Sequence, residues 1–134
     1  MGQYKHIRGW IQLDAALYQL EKKEPGIKYG EFFERIQNWI AERDVDNEYF
    51  KTSFCLHAGT NSSFYLFIGA TVKDYSEPYE RLIKEFIQQF PGCYGVVSFN
   101  EADHEKFPAD KIWLIKARGA IQETRTDYNF FGPD

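Results

Sequence analysis

Cysteine is scarce in this chain: Cys55 and Cys93 are the two present. With no C-x-x-C and no H-x-x-x-H spacing, neither a disulfide framework nor a zinc site has a recognisable basis. Two free, partly buried thiols and no metal are expected. No apolar run approaches the roughly 20 residues of a membrane span. Met1-Gly2-Gln3-Tyr4-Lys5-His6 lacks the apolar block of a secretory signal and, with His at position 6, the pattern for myristoylation. A cytoplasmic location without membrane attachment follows as the expectation. A surplus of positive charge is missing too: 16 basic residues face 20 acidic ones, a net charge of −4. Nucleic-acid binders draw most of their affinity from neutralising phosphates, so this balance disfavours nucleic acid and suits a partner protein with a basic surface. Repeats, low-complexity stretches and interdomain linkers are absent, and residues 1–134 read as a single domain.

Core material is plentiful, with 12 Phe, 9 Tyr and 3 Trp, which excludes a disordered chain. Residues Tyr4 to Leu13 alternate. Ile7, Gly9, Ile11 and Leu13 share one face, and Tyr4, His6, Arg8 and Trp10 the other, which predicts a strand. From Asp14 to Lys23 the period blurs; Ala15, Ala16 and Leu17 suit an extended strand or a helical turn until Glu24-Pro25-Gly26 breaks the pattern. Tyr29, Phe32, Phe33, Ile36 and Ile40 then recur at helical spacing, with Glu31, Glu34, Arg35 and Glu42 opposite.

Tyr49 to His57 and Phe64 to Lys73 alternate again around the turn residues from Ala58 to Ser63, predicting an antiparallel hairpin. Ser76 suits an N-cap and Glu77-Pro78 a first turn. Tyr79, Leu82, Ile83, Phe86, Ile87 and Phe90 make an apolar helical stripe that stops at Pro91-Gly92. Tyr94 to Asn100 and Lys111 to Arg118 are the last two predicted strands, and the tail over 124–134 reads as loosely ordered. The order β-α-β-β-α-β-β implies an α+β fold, with two helices on one face of a mainly antiparallel five-stranded sheet.

No catalytic set accompanies this framework, and no cofactor is expected. Cys55 and His57 fall on one strand face, but side chains two residues apart stand about 6 to 7 Å from each other, too far for a direct hydrogen bond. Gly92-x-x-Gly95 precedes a strand instead of opening a helix, so it cannot cradle phosphate and reads as turn geometry and close strand approach. An alternative reading, a single-stranded RNA-binding module, rests on the sheet's open face, where Tyr4, His6, Arg8 and Trp10 are expected beside Tyr65, Phe67 and Trp113 as stacking surfaces. Against it, Ser63 to Gly69 lacks the basic-Gly-aromatic-Gly-Phe signature. The preferred use of these aromatics is a second small core beneath Ala15 to Lys23 and the tail.

The connection from Asn100 to Asp110 carries four carboxylates, Glu101, Asp103, Glu105 and Asp110, and a second acidic cluster of Asp44, Asp46 and Glu48 follows the first helix. Solvated loops are the plain reading. The functional one is that Glu101, Asp103, Glu105, Asp44, Asp46 and Glu48 attract a basic partner surface.

Three short motifs stand in fixed order: Gly9-Trp10 in the first strand, Pro91-Gly92-Cys93-Tyr94-Gly95-Val96-Val97 after the second helix, and Ala117-Arg118-Gly119 with Glu123 near the last strand's end. In these the chain resembles the immunity-protein-seven family of bacterial polymorphic toxin systems. That family's pattern has His-Gly-Trp, Gly-Ser-Tyr-Gly followed by apolar residues, and Leu-Ala-Arg-Gly; Arg8, Cys93 and Lys116 replace the His, Ser and Leu here. The resemblance implies a small cytoplasmic protein, not an enzyme, that neutralises a cognate toxin domain, often a nuclease, by stoichiometric occlusion. It transfers no binding site. Gly9, Trp10, Gly92, Tyr94, Gly95, Arg118 and Gly119 read as residues of the fold, so truncating Trp10 or Tyr94 is expected to act through folding.

Overall fold

A computed structural model describes residues 4–43, 53–59, 63–73, 77–101, 111–116 and 119–125, with backbone alone at Tyr4, Lys73 and Glu101. The described elements run β1 (Tyr4–Asp14), α1 (Ala15–Lys22), α2 (Tyr29–Arg43), β2 (Phe54–Ala58), β3 (Ser63–Lys73), α3 (Glu77–Gln89), β4 (Cys93–Glu101), β5 (Lys111–Ile115) and β6 (Ile121–Arg125). The six strands form one sheet in the order β2-β3-β1-β4-β5-β6, and every neighbouring pair is antiparallel.

β1 lies between β3 and β4, so β3-α3-β4 is a crossover between parallel strands with β1 intervening; β1-α1-α2-β2 is its counterpart around β3. The two crossovers step in opposite directions from antiparallel strands. Right-handed connections then put all their helices on the same sheet face. The four strands so linked have the split βαβ, ferredoxin-like arrangement, extended by β5 and β6.

Burial follows the alternation. Ile7, Ile11 and Leu13 of β1, Phe64, Leu66 and Ile68 of β3, and Val97 and Phe99 of β4 are buried, together with Phe32, Ile36 and Trp39 of α2 and Leu82, Ile83, Phe86 and Ile87 of α3. Rings join the helices to one another and to the sheet: Tyr18 of α1 stacks on Phe32 of α2 at 4.5 Å, Trp39 meets Phe86 of α3 edge-on at 5.5 Å, and Phe33 meets Phe64 of β3 at 4.9 Å. Asp14 ends β1 and starts α1, because its carboxylate accepts the amides of Ala16 at 2.8 Å and Leu17 at 3.2 Å.

The α+β class and helices on one sheet face agree with the sequence; the element count does not. Ala15 to Lys22 is a helix because Asp14 caps it, which resolves the blurred period in favour of helix. The described sheet has six strands, not five, because the last predicted strand stops at Ile115 and turns. Lys116 N–H donates to Ala120 at 2.9 Å, and Gly119, at φ +82°, donates to Lys116 at 2.8 Å. β6 then pairs along β5, so Thr124 and Arg125 belong to the sheet and not to a loose tail. Ser76, residues 49–52 of the predicted second strand and residues 126–134 lie outside the described residues.

Candidate functional site: the open face of the sheet

With all described helices on one face, the even-numbered residues of β1 are left on the other. Antiparallel register carries them into rows across the sheet. The central row runs Cys55, Phe67, Trp10, Val96, Leu114, Gln122, flanked by His57, Tyr65, Gln12, Tyr94 on one side and Gly69, Arg8, Ser98, Ile112, Thr124 on the other. Trp10, Phe67, Tyr94 and Leu114 keep 38, 46, 37 and 38% of their surface exposed. Four large apolar side chains on contiguous strands exceed the scattered single exposures usual on a protein surface.

Trp10 and Tyr94 meet edge to face at 6.4 Å, and Tyr65 and Phe67 lie parallel at 6.2 Å. Arg8, Trp10, Phe67, Gly69, Val96 and Ser98 border a shallow, open depression. Among the described residues of this face the carboxylate is Asp14, which is engaged in the α1 cap. Arg8 makes no ion pair among the described residues, whereas Arg35, Arg43 and Arg125 each meet a carboxylate. The chain's described acidic groups otherwise lie on the helical side and at the margins.

Three expectations about this face need correction. Trp113 is not on it: pairing with Val97 turns the indole to the helical side, where it is buried. The aromatics do not fill a second core beneath α1, because Tyr18 of that helix packs on Phe32 and Phe90 in the main core. Cys55 and His57 do touch, with Sγ 3.1 Å from Nε2. Strand rise sets the spacing of Cβ atoms, and rotamers that lean the two side chains together close the remaining gap. The His57 ring sits edge-on to Phe67 at 5.3 Å. Among the described residues no side chain holds the other ring nitrogen of His57, and no cluster of three His, Cys, Asp or Glu could bind a metal ion. Cys93 is the opposite case, buried in the core with its thiol pushed up to about 12 by desolvation.

The motif residues separate into different settings. A Cβ on Gly9 would lie 2.3 Å from the Val96 carbonyl oxygen, and one on Gly95 2.1 Å from that of Trp10, so β1 and β4 approach too closely there for any side chain. Gly92, at φ +88°, turns the chain from α3 into β4 against Leu17. Trp10 and Tyr94 differ from the expectation of buried fold residues: their even positions on β1 and β4 place them on the open face. Arg118, Asp44, Asp46, Glu48, Asp103 and Glu105 lie outside the described residues, as does the side chain of Glu101, whose backbone ends β4 opposite Lys5.

Glu123 of β6 accepts the Trp113 indole N–H at 2.8 Å and lies 3.9 Å from Lys111, which also pairs with Glu80 of α3 and sits 4.6 Å over the Phe99 ring. The Trp113 hydrogen bond, with smaller help from Arg125 and Lys111, holds the Glu123 carboxyl below its ordinary range against some desolvation. This group ties β6 to α3. The sequence pattern picked out Glu123 but not its partners, Trp113 and Lys111 of β5 and Arg125 of β6.

No described helix is long and apolar enough to cross a membrane. Comparisons with protein-family models, curated proteins and solved structures give no match for this chain.

Proposed function

We propose that this chain is an immunity-type recognition module that binds a cognate toxin domain and neutralises it by stoichiometric occlusion, without catalysis of its own. The observation that carries the reading is the row of Trp10, Phe67 and Leu114, with Tyr94 beside it, on a sheet face that no described helix covers. Interface energy concentrates in central Trp, Tyr and Arg anchors ringed by polar groups, and Trp10, Tyr94 and Arg8 supply those types within the neutral rim of Gln12, Ser98 and Thr71. The order and spacing of the Gly-Trp, Pro-Gly-Cys-Tyr-Gly and Ala-Arg-Gly motifs support the toxin-immunity assignment. The carboxylates of 44–48 and 101–105 have the role of steering a basic toxin surface into encounter, while the aromatic face governs release.

The test is coexpression with the toxin encoded by the neighbouring gene: the chain restores growth and forms an equimolar complex, and Trp10→Ala abolishes both while remaining folded by circular dichroism. Neutralising Glu101, Asp103 and Glu105 together slows association and flattens its salt dependence, with little change in dissociation. Growth arrest undiminished by the parent chain would refute the proposal.

A second reading, a single-stranded RNA-binding module, is favoured by one observation. The open face presents aromatics on adjacent central strands of a ferredoxin-like sheet, with no free carboxylate among its described residues to repel phosphate. Titration with a fluorescent single-stranded RNA at low salt decides it; saturable binding that Trp10→Ala removes would replace the toxin reading.

A further inference from the structure

Gly69 is a glycine that the fold does not require. It lies inside β3 opposite Arg8, its φ is not positive, and a Cβ built on it meets nothing within 4 Å. Gly9 and Gly95 have partner-strand backbone at 2.3 and 2.1 Å, so their lack of a side chain is explained by the sheet itself. An interior glycine weakens a strand and often marks the place where another molecule comes close. What Gly69 leaves open is the floor of the depression bordered by Arg8, Trp10, Phe67 and Ser98.

We infer that this depression is a socket for one carboxylate side chain of the protein partner, seated over Gly69 and held by the Arg8 guanidinium between Trp10 and Phe67. The inference deepens the proposed function and rests on it. Charge selects the occupant. Arg8 is exposed and without an ion pair among the described residues, and the one described carboxylate of the face, Asp14, is bound in a helix cap. An arriving carboxylate therefore meets a planar donor fork and, among the described residues, no competing anion, with the Trp10 and Phe67 rings on either side. A nucleic-acid backbone would need several cations in succession. Among the described side chains, the one titratable nitrogen group next to Arg8 on this face is His6, hydrogen-bonded to Thr71 at 2.9 Å, and the Lys116 ammonium stands two strands away near the Tyr94 end. A single protein carboxylate fits that supply; a run of phosphates does not.

The test uses the full chain and the purified toxin domain encoded by the neighbouring gene, with association and dissociation measured on a surface. Gly69→Val fills the socket, with Gly69→Ala as a milder version; Arg8→Gln removes the charge, and Arg8→Glu inverts it. Gly69→Ala melts at or above the parent, because its added Cβ meets nothing within 4 Å, and Gly69→Val is read only where it remains folded by circular dichroism. Gly69→Val and Arg8→Gln each weaken binding at least tenfold, chiefly through faster dissociation, and Arg8→Glu weakens it further than Arg8→Gln. Tighter binding by Arg8→Glu would put a basic group at the socket and overturn the inference, as would folded glycine and Arg8 variants that bind within twofold of the parent. If the parent fails to bind the toxin at all, the proposed function falls and the socket with it. Parent binding with unaffected socket variants refutes the socket alone. Saturable binding of a single-stranded RNA that Arg8→Gln abolishes would overturn the protein occupant.

Discussion

Adding one methyl group at Gly95 is expected to damage the fold about as much as removing a whole indole at Trp10. A Cβ at Gly95 would sit 2.1 Å from the Trp10 carbonyl oxygen and 2.8 Å from the Ile11 Cα. Ordinary contact begins near 3.4 Å, so the strands must separate by about 1.3 Å at that point. Neither can move alone: β1 is paired along its length with β3 and over most of it with β4, and β4 is held from the other side by β5. Overpacking typically costs about 1–3 kcal/mol, and an obstacle made of backbone belongs at the top of that range or beyond. Replacing a strand glycine returns roughly 0.5–1 kcal/mol. The net loss is about 2 kcal/mol or more, which at roughly 3–5 °C per kcal/mol for a domain of this size lowers Tm by 6–10 °C or more. Circular-dichroism melts of Gly95→Ala and Gly69→Ala measure it, the second variant being the control that meets no atoms. Gly95→Ala melting within 2 °C of the parent, or Gly69→Ala falling as far as Gly95→Ala, would refute the argument.

Trp10→Ala costs about 2–3 kcal/mol of stability, under the 3–5 kcal/mol of a fully buried Trp, because the side chain is more than a third exposed; paired melting and toxin-binding measurements show binding lost in a variant that is still folded. Glu123→Gln destabilises the protein at neutral pH. Because the folded carboxyl lies below its ordinary value of 4.5, its contribution is present above that value and disappears as pH falls through the lowered one, so melts of parent and variant converge in acid. A thiol reagent labels Cys55 in the native protein and reaches Cys93 only on unfolding, since burial keeps that thiol protonated; mass spectrometry before and after denaturant reads the two sites.

Much of the architecture was legible in the chain because apolar spacing reports which face of an element is buried. The alternation of Ile7, Ile11 and Leu13 against His6, Arg8 and Trp10, and the stripe from Tyr79 to Phe90, survive in the structure as written. What local spacing cannot carry is a choice between two locally acceptable states. Ala15 to Leu17 became helix through the Asp14 cap, and Ile121 to Arg125 became a strand through pairing with β5.

The open face shows the same division. Sequence alone determined that Trp10 and Phe67 lie on the polar side of their strands, since side chains alternate with period two. The expectation that they stand side by side is met by the pairing of Trp10 with Phe67, whereas only tertiary structure decided that Trp113 is absent from their company and that Gly69 lies open while Gly95 is crowded. Those outcomes depend on strand order and register, which join residues dozens of positions apart through backbone pairing and leave no trace in the local pattern.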